Sequence, residues 1–514
     1  MFRGRRGLVR MSDDSTNKKI SLTGAIRRGF SRKAVGLQAQ QVAKIVLAET
    51  LADKRREIKK KSNGAGGDAA HNAAVGRFAK DRARSLKKSI IKSKKKPVDL
   101  GALTRDRTPS PILDGIDPNR VSAWKRMLTR RFKKDYDRVS LKRLNFLDFP
   151  VETMHELTSL SRAECSELNA FLDFDDKFVH DMGIYLVIAE FWPQLNQIFV
   201  GGRMSLPVQK VLDAVGLSRD LNFSLNGVKD HSDIWPFEIR RRRTRGSTTS
   251  DSAQLQPQGR EQLNDRLVDL IDEWLVVASR EMKLSDADTW ELTGEGKANI
   301  ANMVGEILDN AERHSSVDDD GDWTMAAFMA RRDEPDCKTA MMCYLAFLSV
   351  GKSIAETIKT APTGTKQFCE AYASFHARPG QSYETLLTIA ALQDGVTSAH
   401  SAAKAGRGGT GLQDTLDFVG DLGGAPGENA DVRVTIVSGS SCIRLRHPIL
   451  VGKRDGRGRR VQWCNEANDP TYPPDHGIAF DLPAHFAGTL VSVAFTLDPS
   501  LFVPEGEEEG QNDD

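Results

Sequence analysis

Alternating helical and extended hydrophobic patterns begin at about residue 139. Apolar residues recur at helical spacing over 151–171 and 179–195, and a third helix is predicted at 205–217, where a proline lies near the first turn. Short apolar runs separate these helices and predict strands in "LNFLDFP", "FLDFDD" and "NQIFVGGR". Strands that alternate with helices indicate a layered α/β fold.

The second half of the chain also contains both helical and extended hydrophobic patterns. Helical periodicity predicts two long helices, at 263–282 and 296–315. Apolar runs predict four strands, at 322–331, 338–350, 431–439 and 488–497. A segment rich in Ser, Thr, Gln and Arg, 238–261, is predicted to link a domain at 139–237 to a domain at 262–498.

Charge divides the chain into two unlike parts. Residues 1–145 contain 39 Lys and Arg against 13 Asp and Glu, and the remainder contains 34 against 57, so net charges of +26 and −23 give the total of +3. Residues 1–138 are basic and poor in aromatic side chains, which predicts a largely disordered arm. A solvated tail is the plainer interpretation of this arm, and a contact with nucleic acid or an acidic partner is the alternative. The acidic end, 499–514, is also predicted to be disordered.

Composition excludes several classes of protein. No segment reaches the roughly 18–20 apolar residues that span a bilayer, and the charged start does not resemble a signal peptide. The six cysteines have no paired spacing, which favours reduced thiols over disulfides or a metal site. We therefore expect a cytoplasmic protein without a membrane span.

The stretch "LAFLSVGKSI" raises the question of a phosphate-binding P-loop, because Gly351-Lys352-Ser353 follows an apolar run. A P-loop needs a first glycine five residues before Gly351, where its backbone curls around phosphate. Ala346 occupies that position, and Phe347 and Leu348 would fill the curl. The pattern therefore favours a buried strand followed by a turn and a helix.

Three other segments carry candidate chemistry. In "EILDNAERHS", Glu306 and Asn310 are one helical turn apart, so a carboxylate and an amide share a face and can orient water and bind Mg²⁺. In "AGRGGTGL", glycines can aim successive N–H groups at one anion beside a helix start. The third segment is "GTLVSVAF", where Thr489 opens a late strand. The glycines of the second segment are Gly406, Gly408, Gly409 and Gly411.

In this order the three segments resemble the motifs of the GHKL superfamily of ATP-binding domains, which includes DNA gyrase, Hsp90, histidine kinases and MutL. The resemblance covers residues 262–498 and implies a Bergerat-type α/β sandwich that binds ATP and Mg²⁺ under a glycine-rich lid. It also implies that Glu306 polarises the attacking water or hydroxyl, that Asn310 holds Mg²⁺, and that Thr489 lies on the closing strand of the nucleotide site.

The resemblance also offers an interpretation of the Gly-Lys-Ser stretch. The family carries D-x-G-x-G-I between its helix motif and its lid, and the Asp accepts a hydrogen bond from the adenine amino group. The aligned residues here are Ser349, Gly351, Ser353 and Ile354. Ser349 would accept that bond without a charge, so we expect a weaker interaction. Asp394-Gly395 in "LQDGVTSAH" is a rival placement of this adenine motif.

The segments at 172–191 and 201–221 resemble the STAS-like domains of anti-sigma-factor antagonists. In that family a Ser or Thr at the start of the central helix can be phosphorylated, whereas Asp181 occupies that region here. The resemblance therefore implies a docking domain for a protein partner more than a phosphorylation switch.

These observations predict a bacterial-type regulator that binds ATP through a histidine kinase-like ATPase domain. Turnover as an ATPase or protein kinase is one possibility, and an interaction switch that binds nucleotide without turnover is the second. A nucleic-acid-associated module that uses the basic arm is the third. "MHELTS" is similar to the phospho-acceptor motif of histidine kinases but lacks the proline that follows it, so His155 is better interpreted as a surface side chain.

Overall fold

The computed structural model of the 514-residue chain describes most residues from 110 onward. The main described ranges are 110–118, 137–166, 170–196, 199–221, 230–242, 260–282, 322–333, 339–396, 432–447, 449–454 and 460–496. Positions 84, 228, 290–291, 456, 503–504 and several positions between 294 and 311 are also described. Except for Arg84, these residues belong to one compact unit, Thr108–Arg120 with Asp135–Asp514.

A three-stranded parallel sheet forms the first layer of this unit, after a short helix, α1 (Pro111–Ile116). Its strands lie in the order β1 (Asp137–Leu141), β2 (Ala170–Phe174) and β3 (Phe199–Arg203). Two helices join consecutive strands, α2 (Pro150–Ser166) and α3 (Met182–Leu195), and two short helices follow, α4 (Leu206–Ala214) and α5 (Leu217–Asp220). Because each crossover carries a helix, neighbouring strands can run parallel.

The strand predicted in "LNFLDFP" is wrong, because these residues form a turn and lead into α2. The backbone N–H groups of Arg143 and Leu144 each donate to the Asp176 carboxylate at 2.9 Å. The N–H of Phe146 donates to Asp181 at 2.7 Å. These side chains take the place of a neighbouring strand as hydrogen-bond partners, so the segment is fixed as a loop.

A five-stranded antiparallel sheet forms the second layer, in the order β4-β6-β7-β11-β8. Its strands are β4 (Ile234–Arg242), β6 (Trp323–Asp333), β7 (Thr339–Val350), β8 (Arg433–Arg446) and β11 (Ala479–Thr496). Two-residue strands form two small ladders, β5 (Trp290–Glu291) with β12 (Val503–Pro504) and β9 (Lys453–Arg454) with β10 (Arg460–Val461). The four strands predicted in this half are confirmed. The range predicted as a linker, 238–261, begins inside β4.

Helices cover one face of the five-stranded sheet. They are α6 (Arg260–Met282), α7 (Ile354–Ile358), α8 (Thr363–His376) and α9 (Tyr383–Ala391). Trp274 of α6 and Val304 belong to the same core as Phe347 of β7 and Val491 of β11. The prediction of long helices in this half is therefore confirmed for α6. All the described positions between 294 and 311 are helical.

The other face of this sheet shares its core with the parallel sheet and its helices. Phe178, before α3, makes an edge contact with Phe328 of β6, and the ring of Phe328 stacks on Tyr344 of β7 at 4.8 Å. Twelve residues of α3 are buried. The side chains on the two sides of the predicted boundary, 139–237 and 262–498, therefore pack into one core. The structure is a mixed α/β fold, and the two-domain division stays a prediction.

Helix α1 lies inside the range predicted as a disordered arm, 1–138. Ser110 caps it by accepting a hydrogen bond from the N–H of Leu113, and a proline occupies its first turn. Ile112, Leu113 and Ile116 are almost completely buried in the core shared with β11. This part of the range is structured because three apolar side chains fall on one face of a single helical turn. Most of the remaining range lies outside the described residues.

Replacing Leu113 with alanine tests this packing. We expect Leu113→Ala to lower the free energy of unfolding by about 2–5 kcal/mol, because it removes a fully buried side chain and leaves a cavity. Leu206→Ala is the matched control, since Leu206 is 50% exposed and should change stability by about 0.5 kcal/mol or less. Urea unfolding of the full chain measures both values, and equal stabilities for the two variants would contradict the packing of α1.

Candidate functional site

One row of side chains crosses four strands at the end of the five-stranded sheet and is more polar than the next row on the same face. The paired positions are Trp323 of β6, Ser349 of β7, Thr489 of β11 and Ser438 of β8. On the same four strands, the next row on the same face is apolar and buried: Met325, Phe347, Val491 and Ile436. Because side chains two positions apart share a face, the polar row extends the core that α6 covers. Hydroxyl groups are therefore concentrated at this end of the sheet.

The close approach of β7 and β11 at this row requires glycine. Gly488 has a φ of +135°, and a Cβ there would lie 2.1 Å from the carbonyl oxygen of Ser349. Gly351, with a φ of +148°, donates its N–H to the carbonyl of Ala487 at 3.3 Å. Any larger residue at Gly488 would push the strands apart. The glycine before Thr489 therefore sets the distance between Thr489 and Ser349.

Ser438 is fully buried, and its hydroxyl contacts one other hydroxyl and two backbone groups. We call this set of hydrogen bonds the Ser438 relay. The Ser438 Oγ lies 2.8 Å from Thr489 Oγ1 and 3.2 Å from the carbonyl of Gly488. It accepts a hydrogen bond from the N–H of Ile354 at 2.8 Å. The Ser438 hydroxyl can therefore donate its single proton either to the carbonyl of Gly488 or to Thr489. In the first case Thr489 can donate to Ser438, and in the second case the Thr489 hydroxyl is available to donate to another group.

The Gly-Lys-Ser stretch ends a strand and starts a helix. Ser353 is the N-cap of α7, and its side chain accepts from the N–H of Glu356 at 3.2 Å. The Glu356 side chain accepts from the N–H of Ser353 at 2.8 Å, which completes a capping box. The predicted strand, turn and helix are confirmed. The Ser353 hydroxyl is thus engaged in holding the start of α7.

Glu384, at the start of α9, connects the segments around this end of the sheet. Its carboxylate accepts hydrogen bonds from the Ser353 hydroxyl at 3.1 Å and from the N–H of Ser440 at 3.2 Å, and also from the Ser440 hydroxyl. His485 Nε2 lies 3.5 Å from Glu384 Oε1. Gly439, with a φ of +61°, leaves no room for a side chain, because a Cβ would lie 1.8 Å from Glu384 Oε1. One carboxylate thereby joins α7, β8 and β11 to α9.

These contacts shift the pKa of both partners. Burial raises the pKa of Glu384, but the hydrogen bonds from His485 and Ser440 outweigh it and bring the pKa to about 2. The hydrogen bond to Glu384 raises the pKa of His485 above its usual 6.5, and Glu356 acts in the same direction while burial and Lys359 oppose it. The charged forms of both groups are therefore favoured in the folded chain.

The sequence-predicted residues are distributed unevenly in the structure. Ser349 and Thr489 pair in the polar row, and Gly351 follows the end of β7 two residues after Ser349. The remaining predicted residues lie outside the described part of the chain: Glu306, Asn310, Gly406, Gly408, Gly409 and Gly411. Val304, Ile307 and Leu308 flank the first two in sequence and are buried in the core of the face that carries Ser349.

The rival adenine position, Asp394, is in a turn after α9 and not on a strand. The part of α9 from Glu384 to its last residue, Ala391, is about 10 Å long at 1.5 Å per residue, and Asp394 lies beyond that end. Its neighbour Gln393 exchanges hydrogen bonds with the backbone of Gln462. Asp394 therefore lies off the five-stranded sheet, whereas Ser349 lies on β7.

Sequence reasoning missed Trp323, Ser438, Glu384 and His485. Trp323 and Ser438 were inside predicted strands, but their place at the end row depends on strand register. "SYETLL" contained a local signal, because Ser382 caps α9. Nothing in the sequence pointed to a contact between Glu384 and Ser440, which are 56 residues apart.

Asp181 and His155 have different surroundings. Asp181 is the N-cap of α3, is 1% exposed and accepts from the N–H of Gly183 at 2.8 Å. His155 is exposed on α2. Within the described residues no group of three or more His, Cys, Asp or Glu side chains could hold a metal ion. None of the described helices combines the length and apolar character needed to cross a membrane.

Comparisons with known proteins leave the family open. No family model, curated protein or solved structure matches the chain. The inference about function therefore rests on the residues and their geometry.

Replacing Glu384 with glutamine tests its role in joining these segments. We expect Glu384→Gln to lower the free energy of unfolding by about 1–3 kcal/mol near pH 5.5, because hydrogen bonds to a charged acceptor are lost. The depressed pKa of Glu384 gives stability that is present above its ordinary value of 4.5 and is lost as the pH falls towards about 2. The raised pKa of His485 gives stability that is complete below 6.5 and is lost as the pH rises through the higher folded value.

The difference between wild type and Glu384→Gln should therefore be largest between about pH 4.5 and 6.5. His485→Gln is the control, since it should remove the loss above pH 6.5 and should keep only the part of the acid-side loss that the Ser440 hydrogen bonds to Glu384 maintain. Denaturant unfolding across pH 3–9 measures these differences. A difference that does not change with pH would contradict the proposed ion pair.

Proposed function

We propose that the chain binds Mg-ATP at the polar end of the five-stranded sheet. The observation that carries this proposal is the pairing of Ser349 with Thr489 on adjacent strands. The GHKL resemblance assigns these residues to two separate motifs of one nucleotide site, although 140 positions separate them in the chain. Directly opposite residues have Cβ atoms about 4.5–5.5 Å apart, which is close enough for both side chains to contact one base.

The surroundings of this pair support a base-binding role. Trp323 is 5% exposed and Ser349 is 9% exposed, so an aromatic ring and a hydroxyl are adjacent in a nearly dry environment. Small-molecule sites commonly combine apolar walls with a few positioned polar groups. The helical segment around Val304 and Leu308 packs on the same face. The base would lie between this segment and the end of the sheet.

The remaining roles follow from the resemblance. Asn310 would offer its amide oxygen to Mg²⁺, and oxygen is the ligand atom that Mg²⁺ prefers. Glu306, one turn earlier, would orient the attacking water or hydroxyl. Gly406, Gly408, Gly409 and Gly411 would direct backbone N–H groups at the phosphates. In this proposal the domain is Bergerat-type, the layer at 139–237 is STAS-like, and the protein works in the cytoplasm.

An interaction switch without turnover is the second candidate function, and one observation favours it. The two layers share a core through α3, so a change at the sheet can reach the STAS-like layer without a flexible linker. If nucleotide binding favours one packing of the two layers, it would change the surface that the STAS-like layer presents to a protein partner. Steady release of phosphate from Mg-ATP separates the enzyme from the switch. A contact of the basic arm with nucleic acid stays a prediction.

Asn310→Ala tests the assigned metal role. We expect this change to lower the affinity for Mg-ATP by about tenfold or more and the affinity for metal-free ATP by less than about threefold. The reason is that the amide would contact the ion and not the base. Calorimetric titration of the full chain with and without Mg²⁺ measures both affinities. Asn302→Ala is a matched control in the same segment. Equal losses for the two forms of ATP would remove the metal role and point to a folding defect.

A further inference from the structure

The polar row has an unusual property for a site that recognises a base. Its described polar side chains, Ser349, Thr489 and Ser438, are all hydroxyls. A hydroxyl can donate one hydrogen bond and accept others, whereas an ionised carboxylate only accepts. Adenine presents an amino donor at position 6, and guanine presents a carbonyl acceptor there. A carboxylate at Ser349 would distinguish these bases, and a hydroxyl would not.

The Ser438 relay also lets Thr489 act either as a donor or as an acceptor towards a bound base. If Ser438 donates to the carbonyl of Gly488, Thr489 donates to Ser438 and keeps its lone pairs for an outside donor. If Ser438 instead donates to Thr489, the Thr489 proton is released to an outside acceptor. The N–H of Ile354 holds the Ser438 oxygen in place in both arrangements. Reversing the relay therefore needs only two hydroxyl rotations.

We infer that the nucleotide site accepts both adenine and guanine nucleoside triphosphates. This inference rests on the proposed function, since it assumes that the base lies against Ser349 and Thr489. Ser349 donates to the guanine carbonyl or accepts from the adenine amino group, and Thr489 adjusts through Ser438. Binding of either purine leaves the two hydroxyls paired. A site that rejects one purine instead leaves a buried polar group unpaired against it.

The first test uses the wild-type chain with Mg-ATP, Mg-GTP and Mg-ITP, measured by calorimetry. The hypoxanthine base of ITP carries the 6-carbonyl of guanine without its 2-amino group, so it isolates position 6. We expect the three dissociation constants to agree within about threefold. ATP binding that is more than about tenfold tighter than both GTP and ITP would overturn the inference while leaving the proposed function intact. Absence of binding by all three would overturn both.

The second test changes the hydrogen-bonding character of position 349 with two side chains of nearly the same shape. Ser349→Asp supplies an acceptor only, and Ser349→Asn supplies both a donor and an acceptor. We expect Ser349→Asp to bind ATP about fivefold to tenfold tighter than wild type and to bind GTP and ITP more weakly, because charge-assisted bonds are about twice as strong as neutral ones.

Ser349→Asn is the matched control, because it should keep the purines within about threefold of one another. Thermal unfolding of each variant checks that the buried substitution leaves the chain folded. Equal purine preference in wild type, Ser349→Asp and Ser349→Asn would overturn the assignment of Ser349 to position 6. The wild-type titration decides the inference if either variant fails to fold.

Discussion

The antiparallel pairing of β7 with β11 is the constraint on which the rest of the site depends. Gly488 lets the two backbones approach at Ser349, and this approach sets Thr489 opposite that residue. The same register aligns the apolar row of Phe347 and Val491 beneath α6. A shift of one residue would exchange the polar row for side chains of the opposite face. The register of β7 with β11 therefore determines both the packing of the apolar row and the position of the candidate site residues.

Contacts on both faces hold that register. On one face, Phe328 and Tyr344 pack against the residues that precede α3. On the other, Glu384 ties the start of α7 to β8 and β11 through Ser353, Ser440 and His485. The sheet is thus fixed by an apolar core along its length and by a charged network at the end that carries the hydroxyls. We infer that substitutions in the Glu384 network act on the site through strand position.

Local patterns predicted the central strands and helices because these elements carry strong periodicity, as β7 and α6 do. They failed where a distant partner decides the structure. Carboxylates at Asp176 and Asp181 convert a strand-like run into a loop, and β11 buries α1 within an otherwise basic range. Ser349 and Thr489 were predicted as site residues because a family pattern implied them, and their role in binding stays a prediction. Ser438 and Glu384 were missed because only register and tertiary packing bring them to the site.

Hydrogen–deuterium exchange of the full chain with and without Mg-ATP tests most directly that nucleotide binds at the polar row. We expect slower exchange in peptides that cover 345–358 and 486–491, where β7 ends and β11 passes Gly488. Peptides of the parallel sheet near β1 serve as an internal reference. Binding that protects the segment around Asp394 while leaving 345–358 and 486–491 unchanged would contradict the account.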